Sequence, residues 1–193
     1  MPVDTSPSAR QRILTTAYDL FTRRGIRDVG VDEVVQKAAV AKTTLYRHFP
    51  SKDDLVIAFL AEREQQWTVE VVEKQSYLRA GDPEGRLLAI FDVFDDWFAE
   101  HSDFESCSFV KVLLEMGAEG RIGEACIAHL AAIREIVAER ARLADLRDVG
   151  EFTLAFNVLM KGSIIAAAEG DRAAARRAKP MAASLIDRHR AGA

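Results

Sequence analysis

The chain has 193 residues, 49% hydrophobic and 29% charged, with a net charge of −4 at neutral pH. That length suits one or two domains with a real core, and the composition excludes a disordered or fibrous chain. Two cysteines, Cys107 and Cys126, are too few for a disulfide framework and fit a reducing, cytoplasmic setting. The first residues, from Met1 to Pro7, lack the basic and apolar regions of a secretory leader. The longest apolar stretch, residues 152–168, is interrupted by Asn157 and Lys161. It is expected to fall short of the about 20 apolar residues that a membrane-spanning helix needs. Charge is unevenly distributed. Through Pro50 there are eight basic residues against five acidic, a net +3, while the remainder has eighteen basic and twenty-five acidic, a net −7. A positive head on an acidic body suits a small domain that meets a polyanion.

In chain order the sequence reads as helix after helix, with no stretch of strict apolar–polar alternation. An all-α fold of about nine helices is predicted. The first helix has start signals at Ser6-Pro7 and at Ser8 with Gln11 three residues later. Ile13, Leu14, Ala17, Tyr18, Leu20 and Phe21 form its apolar stripe, and Gly25 supplies a left-handed stop. A short helix over residues 31–38, a tight turn at 39–41 and a second short helix over 42–49 follow, ended by Pro50. Ser51 caps a long helix, with Asp54 in the capping-box position and Leu55, Ala58 and Phe59 inward. That helix should run to about Leu78, where residues 80–83 break it. The domain boundary is placed inside it, giving a first domain of residues 8–68 and a second of 69–190.

The second domain reads as a helical bundle, with helices over residues 83–101, 104–116, 121–143, 147–168 and 171–190. The first of these carries Leu87, Phe91, Phe94 and Phe98 on one stripe and Ile90, Val93 and Trp97 on another. A helix apolar on two faces belongs at the centre of a bundle. Pro180 should kink or interrupt the last helix.

A longer helix followed by two short ones across a tight turn is the arrangement of a helix-turn-helix, whose second helix enters the DNA major groove. Leu45 and Phe49 are four apart and can anchor that helix inward. Lys42, Thr43, Thr44, Arg47 and His48 are left on its outer faces. Lys42 and Tyr46 can hold phosphates, while Thr44, Arg47 and His48 can reach base edges or further phosphates. On spacing alone, a merely solvated helix face is the alternative.

The segment from Gly30 to Lys52 ends Ala41-Lys42-Thr43-Thr44-Leu45-Tyr46-Arg47-His48-Phe49-Pro50-Ser51-Lys52. It closely resembles the signature of the tetracycline-repressor (TetR) family, as does the preceding helix with Ala17, Leu20, Phe21 and Gly25. The resemblance covers about residues 8–68. The stretch from Phe104 to Phe109 followed by Glu115, and the Ala-rich last helix, resemble the family's ligand-binding bodies more loosely. The resemblance implies DNA contacts from Lys42, Thr43, Thr44, Tyr46, Arg47, His48 and Lys52. It implies a homodimeric regulator, most often a repressor, on a palindromic operator, released when a small ligand enters the body and the long fourth helix shifts. Half-sites repeat every ~34 Å of DNA, so a change in head spacing breaks register. Three positions depart from the family pattern. Gly30 stands where a Thr or Ser usually caps the second helix, Ala39 where the turn usually has Gly, and Ala41 where Ser is usual.

The family's pocket location and the aromatic content of the body together predict a largely apolar ligand site. It would be lined by some of Phe94, Phe98, Phe109, Val110, Leu113, His129, Phe156 and Met160. The dimer face is expected from the last two helices, through Phe152, Leu159, Gly162 and Ala166 on one and Ala175, Ala178, Ala182, Leu185 and His189 on the other. Other motifs are weak. Cys126 and His129 with Cys107 read as buried thiols rather than a metal site. The glycines from Gly117 to Gly123 read as a linker. Ser163 lacks a nucleophile elbow, and Asp92, Asp95 and Asp96 read as a solvated or helix-contacting face. No enzyme activity, cofactor or metal is expected. A helical small-molecule-binding or adaptor protein without specific DNA binding is the competing reading, and Ala39 and Ala41 are its best support.

Overall fold

The computed structural model describes residues 7–100 and 107–190. Ser6 of the first start signal and the stretch from Phe104 to Ser106 lie outside the described residues. The regular elements are α1 (Ala9–Arg24), α2 (Val31–Lys37), α3 (Lys42–His48), α4 (Lys52–Arg63), a π-helical segment (Glu64–Glu73), α5 (Lys74–Leu78), α6 (Pro83–Glu100), α7 (Ser108–Met116), α8 (Gly120–Leu143), α9 (Val149–Ala168) and α10 (Ala174–His189). From α4 to α5 the helical backbone runs without a break. The described residues thus make nine helical rods, the all-α architecture that the periodicity predicts.

The chain divides into two compact units. The first holds the residues up to Arg63 together with Ser108–Ile127, and the second holds Glu64–Cys107 and the residues from Ala128 onward. The chain therefore changes unit at Arg63 rather than near Thr68. It also returns α7 and the first turns of α8 to the N-terminal unit, a pairing that no local pattern in the sequence announces.

In the first unit the predicted stripe of α1 is buried, with Ile13, Leu14, Ala17, Leu20 and Phe21 inward. Phe59 of α4 meets Tyr18 and Phe21 edge-on, with ring centroids 5.4 and 5.6 Å apart. Such aromatic pairs add to the stabilisation from burial itself. Leu55 is buried as expected, whereas Ala58 is only half-buried. The caps form as the sequence predicts. Ser8 Oγ accepts the Gln11 N–H at 3.1 Å. Ser51 Oγ accepts the Asp54 N–H at 3.1 Å and donates to the Asp54 carboxylate at 2.6 Å.

The second unit is organised round α6. Leu87, Ile90, Phe91, Val93, Phe94, Trp97 and Phe98 are all buried, so both apolar stripes find partners. Phe91 meets Phe156 of α9 at 5.3 Å, and Phe156 meets Phe152 at 5.5 Å. Helix α10 packs on both α9 and α6. Its small side chains, Ala174, Ala175, Ala178 and Ala182, are buried and allow a close approach. Along the edge of that contact, Asp92 pairs with Lys179 at 2.7 Å and Asp95 with Arg176 at 3.1 Å. Asp96 reaches Arg79 at 2.6 Å. The three aspartates are thus a helix-contacting face.

Three sequence expectations are corrected here. Helix α10 runs unbroken through Pro180; the ring removes only the N–H that the Arg176 carbonyl would have accepted. Helix α9 is 20 residues long and, by length and composition alone, apolar enough to cross a membrane. Its buried side includes Phe152, Phe156, Met160 and Ile164, packed in the second unit. The stretch between Glu64 and Glu73 departs from α geometry to i→i+5 bonding. Thr68, Val72 and Ser76 are buried at intervals of four along this part of the rod, beside Trp67.

The end of α10 is tied back to the start of α6. Arg190 forks onto Glu84, with its Nε 2.9 Å from Oε1 and its Nη2 2.5 Å from Oε2. Arg147 N donates to the His189 carbonyl at 2.7 Å. The Arg190 hydrogen bond holds the Glu84 carboxyl below its usual range. A carboxyl lowered on folding stabilises the native state above its unfolded pKa, about 4.3, and that stabilisation is lost as pH falls through the folded value. Urea unfolding at pH 7 and at pH 3.5 should therefore show a smaller loss of midpoint in Glu84→Gln than in the wild type. An equal loss in both proteins would remove this pair from the acid response.

Candidate nucleic-acid interface

Helices α2 and α3 are seven residues each, too short to persist alone, and they depend on what they bury. Val34 and Ala38 of the first, and Leu45 and Phe49 of the second, are buried in the first unit. This leaves Lys42, Thr43, Tyr46 and Arg47 exposed, with Thr44, His48 and Lys52 half-buried. Arg10 lies over the Phe49 ring with its guanidinium carbon 5.3 Å from the centroid.

The predicted contact residues differ in what already engages them. Arg47 makes no hydrogen bond or ion pair with any described residue, so its whole donor fork is available. Tyr46 is 41% exposed. Lys42 pairs with Asp32 at 2.7 Å, a partner that raises its pKa through that hydrogen bond. Both groups are largely exposed, so a phosphate can replace the aspartate at little cost. Lys52 Nζ donates to the Ile26 carbonyl at 2.6 Å. In this structure Lys52 ties the start of α4 to the α1–α2 loop instead of reaching outward.

The turn keeps its left-handed residue even though Ala39 stands where glycine is usual. Ala39 sits at φ +52, a left-handed conformation that costs an L-residue roughly 1–2 kcal/mol. Gly30 and Ala41 occupy the cap positions of α2 and α3 in extended conformation, and neither has a side-chain cap.

One support of this unit was missed from sequence. Glu115, on α7, accepts the backbone N–H groups of Ile26 at 2.9 Å and Arg27 at 2.6 Å. Gly25, at φ +85, lies so close that a Cβ there would stand 2.9 Å from a Glu115 carboxylate oxygen. Lys111 Nζ donates to the Thr22 carbonyl at 3.0 Å. Arg121 pairs with Asp54 at 2.7 Å. First Ser51 and then Arg121 hold the Asp54 carboxyl below its usual range. The close turn between α7 and α8 requires Gly123, where a Cβ would collide with the backbone of Gly117 and Ala118. Only the side chains' tertiary partners could have revealed this clasp.

The residues predicted to line a ligand site fall in both units. Phe109, Val110 and Leu113 belong to the first. Phe94, Phe98, Phe156 and Met160 are buried in the second. There Phe94 contacts Trp67, Phe91, Trp97 and Phe98. His129 Nδ1 lies 2.9 Å from Glu64 Oε2. Cys107 and Cys126 are both buried thiols.

Comparison with known proteins agrees with this geometry. Residues 13–59 match the model of the bacterial regulatory proteins of the tetR family. The transcriptional activator FasR of Mycolicibacterium smegmatis is 35% identical over 92 residues, which are 48% of this chain and 41% of FasR. The transcriptional repressor NemR of Escherichia coli is 26% identical over 114 residues, 58% of this chain and 56% of NemR. The matches thus span about half the length of these curated relatives. The whole fold superposes on a TetR-family transcriptional regulator from Streptomyces coelicolor with a TM-score of 0.83 at 23% identity, covering 94% of this chain and 95% of that one. The reduced form of Escherichia coli NemR gives a TM-score of 0.77 at 19% identity, covering 93% and 97%. The family match lies in the N-terminal unit, where residues 13–59 carry a domain of the tetR type, and the likeness to the solved structures extends to the fold of the remainder.

The turn is open to a direct test. Ala39→Gly should raise stability by about 1 kcal/mol through relief of the left-handed strain. Ala41→Ser should add about 1 kcal/mol by capping α3. Chemical denaturation measures both, and a destabilised Ala39→Gly protein would contradict the strain.

Proposed function

We propose that the protein is a homodimeric transcription regulator that binds a palindromic operator through α3 and releases it when a small, largely apolar effector binds. The helices up to Arg63 read DNA, and the second unit carries effector binding and dimerisation. Lys42, Thr43, Thr44, Tyr46, Arg47 and His48 form the DNA-facing set, with Lys52 behind them steadying the start of α4 on the Ile26 carbonyl, and the protein works in the bacterial cytoplasm, where its operator lies. The observation that carries the reading is the split of α3. Its apolar side is locked by Leu45 and Phe49, while Lys42, Thr43, Tyr46 and Arg47 face outward and Arg47 is unengaged. Arginine reading guanine is the commonest specific base contact. A regulator of this type should retain DNA flanking its own gene in a mobility shift, with affinity falling steeply as salt rises. Arg47→Ala should weaken specific retention by about 1–3 kcal/mol. Retention that is purely non-specific and indifferent to Arg47→Ala would favour the adaptor reading.

The effector site is proposed within the second unit, from Phe94, Phe98, His129, Phe156 and Met160; Phe109, Val110 and Leu113 belong to the first unit and leave the set. An effector must bind the DNA-incompetent state better than the competent one, or it shifts nothing.

The dimer is proposed through α9 and α10, with a changed list of contact residues. The stripe of Ala175, Ala178, Ala182 and Leu185 is consumed inside the chain, as is Phe152. The face left open instead carries Leu154, Val158 and Ile165 of α9 and Met181 of α10; Val158 alone is 69% exposed. A shallow hollow of about 410 Å³ beside Val158 and Met181 offers a receptor for a partner side chain. A contiguous exposed apolar patch marks an interface. Val158→Glu should turn a dimer into a monomer in sedimentation at micromolar concentration and abolish tight operator binding. A wild-type chain that sediments as a monomer would refute the assembly.

A further inference from the structure

The second unit contains a groove of about 400 Å³ between the end of the π segment, α5, the start of α6 and the last turns of α8. Its size lies in the range of small-molecule sites. Three large apolar side chains on its walls, Tyr77, Leu78 and Leu143, are more than half exposed. Arg140 also lines it, yet is only 6% exposed.

The state of Arg140 is unusual for a buried charge. Nη1 donates to Ser76 Oγ at 2.7 Å and to the Arg86 carbonyl at 2.9 Å, and Nη2 donates to the Glu73 carbonyl at 2.9 Å. All three acceptors are uncharged. Nε–H and the second Nη2–H have no hydrogen-bond partner among the described residues. Burial pushes the guanidinium pKa below its usual range; Glu73 and Glu139 oppose that through space and Arg86 adds to it. Both glutamates are exposed to solvent, and neither carboxylate is hydrogen-bonded to Arg140. Buried cations normally have an anion in contact. Arg86 beside it is a second cation, with its guanidinium carbon 3.6 Å above the Tyr77 ring.

We infer that this groove is a binding site for a small organic carboxylate with an apolar body. The carboxylate accepts from the two spare donors of Arg140, and the body covers Tyr77, Leu78 and Leu143. A planar guanidinium matches a carboxylate in two-point geometry. The site is separate from the aromatic cluster assigned above to the effector. Its occupancy can be measured without DNA, so it stands or falls independently of operator release.

Isothermal titration of the full chain with dodecanoate, below its aggregation concentration, tests the assignment. Dodecanol and dodecyltrimethylammonium serve as neutral and cationic controls of the same tail. Dodecanoate should bind one per chain, at least about tenfold tighter than either control, because the charged two-point contact is lost with them. Leu143→Asp alters an exposed wall residue and places a like charge beside the ligand. It should weaken dodecanoate by about tenfold or more while leaving thermal unfolding and DNA retention unchanged. Arg140→Lys should weaken it similarly, because an ammonium cannot reproduce the planar fork. If Arg140→Lys fails to fold, the controls and Leu143→Asp still decide. No dodecanoate binding, equal binding of dodecanol, or undiminished binding by folded Leu143→Asp would each overturn the site.

Discussion

The carboxylate of Glu115 holds the reading unit together at its least regular point. The loop after α1 exposes two backbone N–H groups, of Ile26 and Arg27, that no helix satisfies, and Glu115 takes both. Hydrogen bonds to a charged group contribute about 1.5–3 kcal/mol each. They fix where α2 begins, and α2 fixes α3, since each is too short to hold its own conformation. Lys111 on Thr22 and Arg121 on Asp54 repeat the attachment on either side. The three contacts account for α7 and the first turns of α8 belonging with the N-terminal helices rather than with the rest of the bundle. A displacement of α7 would act on the loop that positions α2 and α3. Such a displacement needs a bistable element and not a continuous deformation.

The turn shows the opposite economy. Ala39 is strained, and two helix starts are uncapped. Burial of Leu45, Phe49 and Val34 outweighs these local losses, each of order 1 kcal/mol, because fully burying a large apolar side chain contributes about 1.5–3 kcal/mol.

Much of the first unit was legible from sequence because its determinants are local. Ser8 with Gln11, Gly25, Ser51 with Asp54 and the four-residue step from Leu45 to Phe49 each fix structure within a turn or two. The doubly apolar pattern of α6 likewise placed it at the centre of a core. What escaped was set by distant partners. Arg140 sits in a run of charged residues that reads as a solvated face, yet three acceptors 54 to 67 positions away bury it. The alanine stripe of α10 carries the small-residue signature of a helix contact, and sequence could not say whether the contact lay within the chain or across a dimer. The π segment has no proline or glycine to announce it.

That segment carries a consequence for how the protein can be watched. The chain has two tryptophans. Trp67 lies on the π segment and Trp97 on α6, and their ring centroids are 3.9 Å apart. Tryptophan emission, excited selectively over that of tyrosine, therefore originates from a single place, where the widened backbone meets the aromatic cluster. It is blind to unit one, whose aromatic rings are phenylalanine and tyrosine. Emission from this pair is a built-in optical gauge of the π segment. It would register a return of that stretch to ordinary α pitch with no label attached.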